Sequence, residues 1–336
     1  MKKLITLTIC ALIGMTAYGA TVQRTILSHK GQLTTYDANH WKDAINDAVA
    51  GDTVYFTPGV FGNGAGDNIV INKAITLIGA GVSETDAFYK DTDLANAYTG
   101  CTTSGESTCI EGDIIIAIPG SITLKATLLE NIRLAYGSIS ITEPVTKLSI
   151  KRCQVSMIYT NWTYGGGIGA SATVTNAILE NCYFYTMDLK NFVNPDIHNC
   201  YIHTINPGDD PNPEELEFVN CAIMDIWGTS NCSFENCIVH FATGSYNTCT
   251  NCIYDDWPGD HTKYLHSWQI VGGNTLSKSQ LQDAGYTGTD ETVVGPLGGP
   301  APFTLIPSHP YVESSSVTYN KSTKKLNVNV TVKKGK

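Results

Sequence analysis

Charge is scarce in this chain, and arginine is the scarcest of the charged residues. Asp, Glu, Lys and Arg make up 15% of 336 residues, against a usual ~25%, which argues against a disordered polyelectrolyte and against a coiled coil. Basic residues are outnumbered, 21 against 31 acids for a net charge of −10, so the electrostatic footprint of a nucleic-acid binder is missing. Arginine occurs at three positions only, Arg24, Arg133 and Arg152. Beyond the N-terminus no segment approaches the ~18 consecutive apolar residues of a membrane span. What is plentiful is Gly (31), Tyr (17) and Cys (11), a usage that favours β structure over helix.

The N-terminus reads as a targeting segment. Met1-Lys2-Lys3 precedes an apolar run from Leu4 to Met15, and Ala17 and Gly19 stand at the −3 and −1 positions of a small-residue cleavage point. This predicts a signal peptide over 1–19 and a mature chain from Ala20, exported to the periplasm, cell surface or medium. The run is too short to span a bilayer. A buried N-terminal helix is the competing reading, but no cap or amphipathic period supports it. Removal of 1–19 takes two lysines and no acid, leaving a mature charge of −12.

A short phrase recurs through the middle of the chain: apolar, any, Asn, Cys, any, apolar. It reads Leu129-Glu130-Asn131-Ile132-Arg133-Leu134, then Ile150-Lys151-Arg152-Cys153-Gln154-Val155, then Leu179-Glu180-Asn181-Cys182-Tyr183-Phe184. Four more copies centre on Asn199-Cys200, Asn220-Cys221, Asn236-Cys237 and Asn251-Cys252. The steps between Cys (or Ile) positions are 21, 29, 18, 21, 16 and 15 residues, too irregular for a helical repeat. Within the phrase the Asn breaks an apolar period of two by one residue. A single residue in the left-handed region does that, and Asn tolerates it while offering an amide for local hydrogen bonds. Strand, bend, strand, stacked coil on coil at ~4.8 Å, is a parallel β-solenoid with a ladder of Asn beside a column of inward Cys.

These motifs resemble the right-handed parallel β-helix of the pectate-lyase-like superfamily. The segment before the repeat is similar too: Trp41, Ala44/Ile45 and Ala48/Val49 form a helical face ended by Gly51, followed by Asp52-Thr53-Val54, Pro58-Gly59 and later Ile75 to Gly79. The stretch from Gly288 to Phe303 resembles the tails of uncharacterised secreted β-helix proteins of Bacteroidetes-type bacteria. The resemblance implies an all-β fold, a right-handed parallel β-helix over 20–287 with an N-terminal capping helix. A Gly/Pro-rich segment and a β-hairpin, expected around Lys321 to Lys324, fill 288–336. Enzymes of the superfamily place calcium-binding acids and a Lys or Arg base, or paired aspartates, on an outer face. None of their signature phrases is found here.

Cys153, Cys182, Cys200, Cys221, Cys237 and Cys252 read as one column of buried small hydrophobes. In-register side chains at ~4.8 Å exceed the ~3.8 Å favoured between the Cβ atoms of a disulfide, and a linear column cannot surround a metal ion. Cys101 and Cys109 differ: they bracket a polar loop of an exported protein and are expected to form a local disulfide.

The outward positions supply the candidate sites. Tyr183, Tyr185, Tyr201 and His203 should cluster over two consecutive coils, either as a platform for sugar rings or as an aromatic stack beneath a loop. The loop 159–172, with Trp162 and Tyr164, would serve as a lid or a cover. Asp209, Asp210 and Glu214 give an acidic loop the composition of a weak calcium site without EF-hand spacing; a solvated surface loop is the plainer reading. His203, His240 and Asp255 are the titratable candidates if the face is catalytic. The resulting expectation is an exported protein that binds a polysaccharide or cell-surface glycan without catalysis and without an obligatory cofactor. A divergent polysaccharide lyase or glycoside hydrolase is the alternative, and a structural or adhesion module the third.

Overall fold

A computed structural model describes residues 23–62, 67–81, 107–135, 137–156, 167–206, 216–226, 232–242, 247–254, 278–283, 285–304, 311–320 and 325–333. In the last two stretches the backbone alone is described.

The broken period of the repeat becomes a sharp corner. The third residue of all seven phrases has positive φ: Asn131 (58°), Arg152 (51°), Asn181 (56°), Asn199 (52°), Asn220 (51°), Asn236 (53°) and Asn251 (54°). An ordinary L-residue pays ~1–2 kcal/mol there, and Asn visits the region most readily of the non-glycine residues. On one side of the corner lie the strands Ser149–Lys151, Ile178–Glu180, Asp196–His198, Glu217–Val219 and Ser233–Glu235, paired in parallel. On the other side Gln154–Ser156, Tyr183–Asp188, Tyr201–Asn206, Ala222–Ile226 and Ile238–Ala242 form a second parallel sheet. Four two-residue strands, Ile122–Thr123, Val145–Thr146, Val174–Thr175 and Phe192–Val193, make a third. Hydrogen-bonded neighbours are never consecutive in sequence within these stacks, so each strand pairs with strands of the coils before and after it. The fold is all-β and solenoid-like.

A second left-handed corner follows the third sheet, at Lys147 (60°), Asn176 (52°) and Asn194 (48°). Sequence reading missed it because the residue type there is less uniform. Fixed corners with loops of different length between them explain the uneven repeat steps.

The interior is a set of columns. Ile150, Leu179, Ile197, Phe218 and Phe234 stand in register and are buried, with the Phe218 and Phe234 rings stacked at 5.1 Å and 10°. The Cys column runs beside them, and its six thiols are free and buried. Each of the six thiols donates to the carbonyl two residues back: Cys153 to Lys151, Cys182 to Glu180, Cys200 to His198, Cys221 to Val219 and Cys237 to Glu235 at 3.3 Å, and Cys252 to Thr250 at 3.5 Å. Cysteine thus fills a small apolar slot while its weak donor meets the strand carbonyl before the bend. Burial pushes the Cys153, Cys200 and Cys237 thiols well up, and Cys232 up to about 12.

At the N-terminal side a helix, α1 (Trp41–Asp47), buries Trp41, Ala44 and Ile45. Trp41 meets Phe56 and Phe61 edge-on at 6.2 and 5.9 Å. The apolar face ends at Ala48, because Val49 is 49% exposed. Lys73 Nζ donates to the carbonyls of Asn46 (2.6 Å) and Ala48 (2.7 Å), a cation at the negative end of the helix dipole. Antiparallel strands Arg24–His29 and Gln32–Asp37 extend the first sheet at this end. No helix among the described residues is long and apolar enough to cross a membrane.

Candidate functional site

The outer face of the second sheet was expected to carry the aromatic cluster, and the register does bring it together: Tyr183 pairs with Tyr201 on adjacent coils. The face is not open. Tyr183 (1% exposed) and Tyr201 (3%) are packed with Ala222, Ile238 and Ile253 against Leu281, Val293, Val294 and Phe303. Phe303 stands edge-on to Tyr201 at 4.8 Å and 89°. Of the two readings of the aromatics, solvent platform or covered stack, the structure has the covered stack. Among the described residues the cover comes from the segment after residue 278; residues 159–166 of the 159–172 loop lie outside them. Within that loop Gly167–Ala170 is a strand paired on both sides, so it is not part of a lid. Burial raises the Tyr183 hydroxyl well above its ordinary range, with the nearby Tyr185 adding to the effect.

The C-terminal segment is held by the Asn corners. Asn251 Nδ2 donates to the Thr287 carbonyl at 2.8 Å, and Thr289 N donates to Asn236 Oδ1 at 2.8 Å. Asn236 Nδ2 in turn donates to Thr289 Oγ1 at 3.0 Å, and Gly295 N donates to the Asn236 carbonyl at 2.7 Å. Asn199 Nδ2 donates to the carbonyls of Pro296 (3.0 Å) and Gly298 (2.8 Å), and Thr304 N donates to Asn181 Oδ1 at 3.2 Å. Gly299 lies so close to the ladder that a Cβ there would sit 2.5 Å from Asn220 Nδ2, and its φ is +75°. The segment therefore runs back along the stack from the Asn251 coil to the Asn181 coil, reading one corner after another. Among the described residues a single amide-to-amide ladder bond remains, from Asn251 Nδ2 to Asn236 Oδ1 at 3.2 Å. The expected ladder of Asn on Asn is mostly a docking track for backbone. Residues 285–304 belong to the packing of the solenoid and are not a free appendage.

At the rim of the covered face Tyr185 and His203 stack, with centroids 4.4 Å apart and planes 19° from parallel. Tyr185 is buried at 9% exposure, whereas His203 is half-buried. His203 Nδ1 lies 2.9 Å from Thr204 Oγ1, which sets the ring's orientation. Farther along the same sheet Glu111, in register with Ala135, is held above the usual carboxylate range by burial; sequence reading passed it over because it lies outside the repeated phrase.

Toward the N-terminal coils the same corner is strongly polar. Arg152 Nη1 donates to Glu130 Oε1 at 3.2 Å, and Lys151 is ion-paired with Glu180. The Lys151 hydrogen bond and charge outweigh burial and hold the Glu180 carboxyl below its ordinary value. Asn131 and Gln154 are wholly buried, and neither side-chain amide makes a hydrogen bond.

Other expected site residues fall elsewhere. His240 lies in the strand Ile238–Ala242, with its side chain outside the description. Asp255, Trp162, Tyr164, Asp209, Asp210, Glu214 and Cys101 lie outside the described residues. Cys109 is disulfide-bonded and buried in the strand Thr108–Glu111. No group of three or more metal-binding side chains occurs among the described residues. No family model, no curated protein and no solved structure matches this chain.

Proposed function

We propose that the chain is an exported right-handed parallel β-helix of pectate-lyase-like architecture that binds glycan or cell-surface material without catalysis. The architecture is supported by parallel sheets stacked through one left-handed residue per corner, and export by the signal-like segment 1–19. Cys101 is the proposed partner of the bonded Cys109.

The observation that carries the binding reading is the Tyr185–His203 stack at the rim. A buried ring backs a half-exposed one, which gives a rigid planar surface of the kind that sugar rings stack on. With Tyr183 and Tyr201 under the C-terminal segment, this rim is the accessible remnant of the aromatic face. Glycan-array binding of the wild type and of His203→Ala, with and without calcium, tests the reading. Binding that the substitution abolishes supports it, and no binding to any glycan favours the structural or adhesion role.

One observation favours a catalytic alternative. Glu111 lies on the same sheet, four strands from His203, and burial raises its carboxyl from the ordinary value, the direction that suits a general acid. Turnover of an acidic polysaccharide by the wild type, lost in Glu111→Gln or His203→Ala, would replace the binding reading with a lyase or hydrolase.

A further inference from the structure

Charge is segregated along this chain. Residues 311–336 contain six lysines and one acid, Glu313, whereas the remainder holds fifteen basic residues against thirty acids. The basic segment is a hairpin: Tyr311–Asn320 pairs antiparallel with Lys325–Lys333 and forms a sheet of its own.

The register of that ladder sorts its residues by polarity. Val312, Val317 and Tyr319 stand opposite Val332, Val328 and Leu326, and Val330 joins them opposite Ser315. The alternate pairs are Tyr311 with Lys333, Ser314 with Thr331, Ser316 with Asn329, Thr318 with Asn327 and Asn320 with Lys325. Because successive residues of a strand alternate faces, seven apolar residues share one face with Ser315, and the other paired residues, Lys325 and Lys333 among them, share the opposite face. The shift between Val312 and Ser314 keeps Val312 on the apolar side. A two-stranded sheet alone is at best marginally stable in water, and it gains stability when its apolar face is covered.

Charge complementarity selects the cover. A partner for this hairpin must accept an apolar strip and a cluster of lysines together. The acidic body of a second copy would satisfy the lysines, but its exposed large hydrophobics among the described residues are the isolated Val49 and Val70, which make no apolar bed. A lipid leaflet with anionic headgroups supplies both, and it repels the acidic remainder of the chain. We propose that the hairpin 311–333 is a docking element for anionic lipid surfaces: its apolar face enters the headgroup boundary, its lysines meet the headgroups, and the solenoid is held off the surface by its own negative charge. This stands independently of glycan binding at the Tyr185–His203 rim.

Co-sedimentation of the full chain with vesicles of mixed phosphatidylglycerol and phosphatidylcholine, against pure phosphatidylcholine, tests it. The apolar segment Leu4 to Met15, common to every sample, does not distinguish variants. The expected result is a preference for the anionic vesicles that falls with salt. Lys325→Gln with Lys333→Gln should lower partitioning about thirtyfold, from ~1 kcal/mol per basic residue near the surface. Val328→Asn with Val330→Asn should also lower it while the near-UV spectrum of the solenoid stays unchanged. Equal partitioning of wild type and the lysine variant would overturn the proposal. So would salt-sensitive dimerisation in sedimentation equilibrium without vesicle binding, which would assign the hairpin to a second copy.

Discussion

Asn199→Gly isolates what the C-terminal segment draws from the corners. Asn199 is 1% exposed, has φ 52°, and donates to the carbonyls of Pro296 and Gly298 at 3.0 and 2.8 Å. Glycine adopts the same backbone angle without strain, so the substitution removes two hydrogen bonds and little else. Each bond contributes about 0.5–1.5 kcal/mol net, and a buried carbonyl left unpaired costs about 1–3 kcal/mol. A loss of roughly 2–4 kcal/mol follows from those terms. Asn199→Ala should lose a further ~1–2 kcal/mol, because alanine pays the left-handed penalty as well. Asn131→Gly is the matched control. Its φ is 58° and it is equally buried, but its amide makes no hydrogen bond, so its replacement should change stability by less than about 1 kcal/mol or raise it. Urea unfolding followed by near-UV circular dichroism measures the three variants. Hydrogen exchange at the Gly295 and Thr304 amides, bonded to the corners at Asn236 and Asn181, reports whether the segment has come loose. Equal losses for Asn199→Gly and Asn131→Gly would refute the idea that the corners hold the segment through their amides.

The Cys column should be inert in the folded chain. The six cysteines of the column, free and buried, are expected to resist a thiol reagent until denaturant is added and then to react in full; rapid reaction of these six in the native protein would contradict a packed interior. Cys200→Ala, which empties a slot in that column, should cost about 1–2 kcal/mol, read as a lower urea midpoint. Stability should also fall in acid through Glu180. Its folded pKa lies below the ordinary value of 4.5, so its contribution is complete above that value and is lost as pH falls through the folded one. In a urea midpoint series the difference between wild type and Glu180→Gln should therefore shrink on acidification, and a constant difference would remove the Lys151–Glu180 pair as its source.

Sequence alone determined the coil. A period of two broken once by Asn encodes strand, left-handed corner and strand, because few residues other than Asn and Gly occupy that backbone region cheaply. That reading extended to Arg152, which holds the same corner at φ 51° because its neighbours carry the pattern. The inward Cys column was legible for the same reason: burial follows from local alternation, and alternation is written in the chain. Tertiary structure decided whether the outward residues face water. Tyr183 and Tyr201 are outward on their own strands, yet residues about a hundred positions later cover them, and no local pattern encodes so distant a contact. The Asn amides likewise have two eligible partners, the next Asn or a passing backbone. Asn199 is bound to Pro296 and Gly298 because the close approach at Gly299 lets the C-terminal segment reach the ladder. A site on an outer face depends on what the rest of the chain lays over it, and among the described aromatics of this face Tyr183, Tyr185 and Tyr201 are buried while His203 is half-buried.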